Sequence, residues 1–217
     1  LSRRSGAIGR FARERADGAH EILNHRRFFT RPVNEHDRRA QRLALQCADM
    51  STGSLGQGVS AAVGMALSAK TFGGAWRVYT LLGDGEIEEG EVWEAFLFAA
   101  KYKLDNLCVI IDLNGLQIDG PTSEVMPTDP VDAKMRDFGF RTVTIDGHDF
   151  AQIEDAFQYF HTQTGAPTAV LMNTTKGKGV SYMENQVGWH GKAPNDEEYK
   201  IAMDELNAQL AELEAQV

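Results

Sequence analysis

The chain has 217 residues, 42% of them hydrophobic, enough apolar content for one core of ordinary domain size. No run approaches the roughly 18 continuous apolar residues of a membrane span, and the start lacks the apolar centre of a signal peptide, so a cytoplasmic protein without a membrane partner is expected. A net charge of −9 argues against nucleic acid as a general partner.

The charge is divided unevenly along the chain. Residues 1–47 hold 11 Arg, no Lys and 5 acids, a net +6, and no periodic apolar face runs through them; residues 48–217 carry −15. From Met50 the elements become legible. Ser51 to Gly58 reads as a flexible loop leading into a small-residue helix from Gly56 to Thr71. Trp76 to Leu82 and Leu107 to Asp112 are short, apolar, β-rich runs of the kind expected for strands buried on both faces. Between them, Glu89 to Lys103 puts Val92, Trp93, Ala95, Phe96, Ala99, Ala100 and Tyr102 largely on one helical face. Gln117 to Thr122 is a turn-rich loop, and Pro130 to Phe138 a short helix begun by Asp129-Pro130. Arg141 to Ile145 is a third strand, Asp149 to Thr162 an amphipathic helix, Pro167 to Asn173 a fourth strand and Asp196 to Ala215 a charged helix. Strands alternating with helices predict an α/β protein with a doubly wound, mostly parallel sheet, in one domain over 48–217 behind a non-matching segment over 1–47.

The chemistry centres on Gly83-Asp84-Gly85-Glu86 and, thirty residues later, Asn114-Gly115-Leu116. Each follows a strand, and ligands in such sheets bind beyond the carboxyl ends of the strands. Magnesium takes six oxygen ligands at about 2.0–2.1 Å, commonly one or two carboxylates with phosphate oxygens and water. Asp84, the Asn114 amide oxygen and the Leu116 carbonyl would supply three, leaving room for two phosphate oxygens and a water. Gly83 and Gly85 let the backbone turn and approach the phosphates. Calcium would accept the same all-oxygen set.

Plainer readings exist for each feature. A lone Gly-Asp-Gly is a common surface turn. An EF-hand fits badly, because the alternating acids are absent after Asp84 and the twelfth position is Ala95. Gly56 to Ala61 matches a loose dinucleotide fingerprint, but no apolar strand precedes it. His190, in the long loop from Thr174 to Pro194, reads alone as a surface or packing histidine, and Lys176 and Lys178 as loop charges. His148 is expected to cap the following helix. Cys47 and Cys108 are isolated and read as structural, with neither disulfide nor zinc site.

Taken together, these motifs resemble the diphosphate-binding half of a thiamine-diphosphate enzyme, specifically the N-terminal subunit of a split transketolase. The resemblance runs from Ala48 to about Leu206. It is carried by Gly83 to Gly85, by Asn114 to Gly120 (Asn-Gly-Leu-Gln-Ile-Asp-Gly), by Ser51 to Gly58, and by Trp189-His190-Gly191-Lys192-Ala193-Pro194. It implies that Asp84, Asn114 and the Leu116 carbonyl hold Mg²⁺ or Ca²⁺, that Gly83, Gly85 and His190 face the diphosphate, and that Gly53, Ser54 and Leu55 line the pyrimidine. Ile118 would meet the thiazolium, Glu89 would lie near the subunit interface and cofactor, and His190 would act catalytically on sugar phosphate substrates. Deoxyxylulose-phosphate synthases and pyruvate dehydrogenase subunits lack the Gly-x-x-Ile-Asp-Gly continuation and fit less well.

The family's activating glutamate lies on a pyrimidine-binding domain for which this chain has no counterpart. The resemblance therefore implies an obligate complex with a C-terminal transketolase subunit, two copies of each. Residues 1–47 lack two histidine-bearing family segments, and His20, His25 and His36 match neither spacing. Three readings of that head are a divergent arm, a binder of an acidic partner, and translation from a shifted frame, the last explaining both the Arg bias and the abrupt recovery near Ala48. The competing functions are an assembly subunit that binds little or no cofactor and, more weakly, a nucleic-acid binder using the Arg-rich head.

Overall fold

Short apolar strands with helices between them have one economical arrangement, a parallel sheet with helices on both faces. The computed structural model has it, and describes residues 28–32 and 50–215. The chain forms two compact units, whose described residues are 28–32 with 50–174, and 175–215. The expectations for residues 1–27 and 33–49, including the three histidines and Cys47, lie outside the described residues.

In the first unit the elements run β1 (Phe28–Pro32), β2 (Met50–Thr52), α1 (Gln57–Phe72), β3 (Val78–Gly83), α2 (Gly90–Lys101) and β4 (Leu107–Leu113). They continue with β5 (Leu116–Gln117), β6 (Gly120–Pro121), α3 (Thr122–Val125), α4 (Val131–Asp137), β7 (Arg141–Asp146), α5 (Phe150–Thr162) and β8 (Thr168–Asn173). Six strands pair in parallel in the order β2-β1-β3-β4-β8-β7. The β3–β4 register runs from Val78 opposite Leu107 to Gly83 opposite Asp112, so Asp84 and Asn114 leave the sheet at the same end.

The period of two in a strand explains why β4 reads as continuously apolar. Leu107, Val109 and Ile111 enter one core with Val59, Ala62, Val92 and Phe96 of α1 and α2, while Cys108 and Ile110 enter another with Tyr79, Ala156 and Phe160. Small buried residues of α1, among them Gly58, Ala62 and Ala66, let it pack against α2. Burial of Cys108 pushes its thiol well above the ordinary range, so it is an inert packing residue, as expected.

Three expectations need correction. Met50–Thr52, at the start of the expected flexible loop, is a strand paired with β1, which lies in the segment that does not match the family motifs. Gln117 to Thr122 is a two-stranded antiparallel hairpin running into α3, with Leu116 opposite Pro121. The cap of α5 is Asp149, whose carboxylate accepts from Ala151 and Gln152, whereas the His148 backbone N–H donates to Asp146.

The second unit organises much of the expected long loop. The Trp189 ring lies 5.1 Å from that of Tyr182, its indole N–H donates to the Tyr182 carbonyl at 3.0 Å, and Lys192 sits 4.1 Å over its ring. The closing helix α6 (Asp196–Ala215) is held to this segment through Ser181 to Glu205 and Gln209 to the Gly179 carbonyl. Among the described residues no helix is long and apolar enough to cross a membrane.

Candidate functional site

The carboxyl ends of β3 and β4 bring Asp84 and the Asn114 turn together through the backbone. Asp84 is buried, accepting from its neighbour Gly85 N–H at 2.9 Å and from Gly115 N–H at 2.5 Å; its own N–H donates to the Asp112 carbonyl at 3.1 Å. Gly115 has a positive φ of 75°, a conformation that glycine enters without steric penalty. The Asn114 amide oxygen accepts the Leu116 N–H at 3.1 Å, and its amide nitrogen donates to Asp112 at 3.4 Å. Asp112 also accepts the Thr174 hydroxyl, which ties the end of β8 to the same turn. Asp112 and Thr174 are invisible to sequence reasoning because nothing in their local spacing distinguishes a side chain that positions others.

These residues fit a hard divalent cation. One carboxylate, one amide oxygen and one carbonyl form an all-oxygen set. Pro121, across from Leu116, has no N–H to offer the Leu116 carbonyl. Among the described residues no cluster of three or more His, Cys, Asp or Glu offers a softer metal a site.

A second carboxylate, Glu86, looks in sequence like no more than part of an acidic helix start. It is buried and accepts from Gly56 N–H at 3.0 Å and Gly83 N–H at 3.3 Å, stitching the Gly53–Gly56 loop to the Asp84 turn. Burial raises its carboxyl above the ordinary value of 4.5; the two backbone donors oppose the shift and Glu89 adds to it. Gly83 and Gly85 therefore spend their N–H groups inside the turn, on Glu86 and Asp84. A Cβ on Gly85 would come within 2.8 Å of the Gln117 side chain, so that position needs glycine for packing too. Glu88 keeps one carboxylate oxygen buried without a hydrogen bond, and burial, then Asp84 and Glu89, raise its carboxyl.

Gly53, Ser54 and Leu55 are exposed on the turn before α1, and Ile118 is 69% exposed at the tip of the β5–β6 hairpin. Glu89 is exposed at the start of α2 and lies against Gly56. His190 belongs to the second unit, where its Nδ1 lies 3.1 Å from the Lys176 ammonium. Partial burial, then the Lys176 charge, lowers its pKa below 6.5, favouring the neutral imidazole.

The family model for "Transketolase, thiamine diphosphate binding domain" matches residues 40–212, wider at both ends than the span legible in the motifs. The chain is 44% identical over 163 residues to a 6-deoxy-6-sulfo-D-fructose transketolase subunit of a Clostridium species, covering 75% of this chain and 59% of that protein. It is 43% identical to an apulose-4-phosphate transketolase subunit from Actinobacillus succinogenes, covering 73% and 57%. It thus spans somewhat under two thirds of the length of these relatives. The crystal structure of a Campylobacter jejuni transketolase superposes with a TM-score of 0.67 at 32% identity, over 70% of this chain and 25% of that one. The chain belongs to the transketolase family and carries its thiamine-diphosphate-binding domain.

Proposed function

We propose that this chain is the cofactor-binding subunit of a split transketolase, acting with a C-terminal, pyrimidine-binding subunit in a complex with two copies of each. Relatives named as subunits support the division of labour. The observation that carries the reading is the joining of Asp84 to the Asn114-Gly115-Leu116 turn at the ends of two paired parallel strands.

Asp84, the Asn114 amide oxygen and the Leu116 carbonyl would hold Mg²⁺ or Ca²⁺, and through it the diphosphate. Asp112 and Thr174 fix the turn, and Glu86 fixes the Gly53–Leu55 loop that would line the pyrimidine. Ile118 offers an apolar surface to the thiazolium. Thiamine diphosphate, when bound, supplies the nucleophilic carbon and electron sink for cleaving a ketose and passing its two-carbon unit to an aldose. His190, held largely neutral beside Lys176, would accept or donate a hydrogen bond at the substrate, and Lys176 would favour an anionic sugar. Relatives named for a sulfonated and a phosphorylated sugar support terminally charged sugars as the substrate class.

Calorimetry with thiamine diphosphate and Mg²⁺, in the presence of the partner subunit, tests the site. Asp84→Asn is expected to weaken binding by roughly 10–100-fold or more with an unchanged circular dichroism spectrum. Equal affinity for wild type and variant would overturn the assignment.

A further inference from the structure

The helix α6 carries an apolar stripe that its own unit leaves open. Tyr199, Met203, Leu206, Leu210 and Leu213 follow one another at steps of four, three, four and three, the spacing of a coiled-coil seam. All five are exposed, between 36% and 61%. The adjoining face is already occupied: Ala202 is buried, Glu205 accepts from Ser181, and Gln209 donates to the Gly179 carbonyl. A seam over a helix of about 30 Å, bordered by a packed face, suits one further helix.

The flanking charges select the occupant. With Tyr199, Leu206 and Leu213 at one seam position and Met203 and Leu210 at the other, the flank away from the packed face presents Lys200, Asn207 and Glu214 in successive heptads. Laid antiparallel against a second copy, Met203 meets Leu213 and Leu206 meets Leu210 in four layers. In the same register Lys200 of each copy faces Glu214 of the other, and Asn207 faces itself across the twofold axis. Neither Lys200 nor Glu214 makes an ion pair among the described residues. A parallel pair would set Gln209 against Glu214 and Ala202 against Asn207, with no charge complement. Asp204 and Glu212 lie off the seam in either arrangement, and Asp196, which continues the seam at its N-terminal end, falls outside the four layers.

We propose that α6 is a self-docking element, pairing antiparallel with α6 of a second copy of this chain. The four apolar layers form an interface at the small end of the range for specific association, so the pairing is reversible and adds to whatever else joins the two copies. The pairing uses no residue assigned to the proposed metal site, so it stands or falls independently of the proposed activity.

Sedimentation equilibrium of the full chain, free of partner subunit, tests it. Leu210→Glu, at an exposed position, is expected to weaken self-association by roughly tenfold or more with unchanged helicity. Lys200→Glu and Glu214→Lys should each weaken it, and the double exchange should restore it, because only the antiparallel register pairs these two positions. Carbodiimide coupling of isotope-mixed copies should give a Lys200–Glu214 link between light and heavy chains. A monomer at every concentration, an association indifferent to Leu210→Glu, or a double exchange without rescue would each overturn the proposal. So would loss of C-terminal subunit binding as the sole effect of Leu210→Glu.

Discussion

Glu86 is the residue whose environment departs most from its surface-like sequence context. Two backbone N–H groups hold it, yet burial outweighs them and raises its carboxyl. The folded state therefore keeps a proton over a pH range in which the unfolded chain has already released it. The stability this group contributes is fully present below the unfolded value of 4.5 and is lost as pH rises through the higher folded value. Glu86→Gln retains an acceptor for Gly56 without that titration. Urea unfolding across a pH series should show the variant gaining on the wild type as pH rises above 4.5; a constant difference would refute the buried-carboxyl account. At Gly56, φ is +84° and a Cβ would stand 3.1 Å from the Glu89 Cβ. Gly56→Ala is accordingly expected to cost about 1–2 kcal/mol, readable as a lower urea midpoint with an unchanged slope. Neither effect is visible in the sequence, because a positive φ and a buried carboxylate are properties of the closed turn and not of its residue types.

At the scale of elements, legibility tracks burial and length. β3, β4 and β8 are readable because both faces of the central sheet are covered, so each strand is mostly apolar along its length. β2 has three residues and β5 and β6 two each, too short for any period to show. β1 contains Phe28 and Phe29 but also Arg31 and Pro32, inside a stretch dominated by arginine. The meeting of Asp84 with the Asn114 turn is readable because its spacing straddles one βαβ unit, so strand register converts thirty residues of separation into adjacency. The cap of α5 falls one residue beyond the expected His148. His148 and Asp149 both precede the helix, but only a short side-chain acceptor reaches the free N–H groups of its first turn. Asp149→Ala should lower the melting temperature by about 2–4 °C, more than His148→Ala does; the reverse ranking would make His148 the cap after all.

For the whole molecule, apolar exposure marks what is still to be covered. Leu55 and Ile118 stand 48% and 69% exposed, on segments whose geometry is otherwise fixed by hydrogen bonds to buried carboxylates and by the small hairpin. A site with its polar anchors satisfied and its apolar walls open has one half of an enclosure, and exclusion of water is what gives such a site its electrostatic strength. The chain also spans only 59% of its sulfosugar-transketolase relative, which is itself named as a subunit. The expected outcome is that this chain alone turns over no ketose. Mixing it with a C-terminal transketolase subunit should restore two-carbon transfer, saturating at equal molar amounts of the two. Amide exchange at Leu55 and Ile118 should slow when partner, Mg²⁺ and thiamine diphosphate are all present and change little with Mg²⁺ alone. Turnover by the purified chain without a partner would show that the enclosure is complete from this sequence, and the split-enzyme reading would then fail.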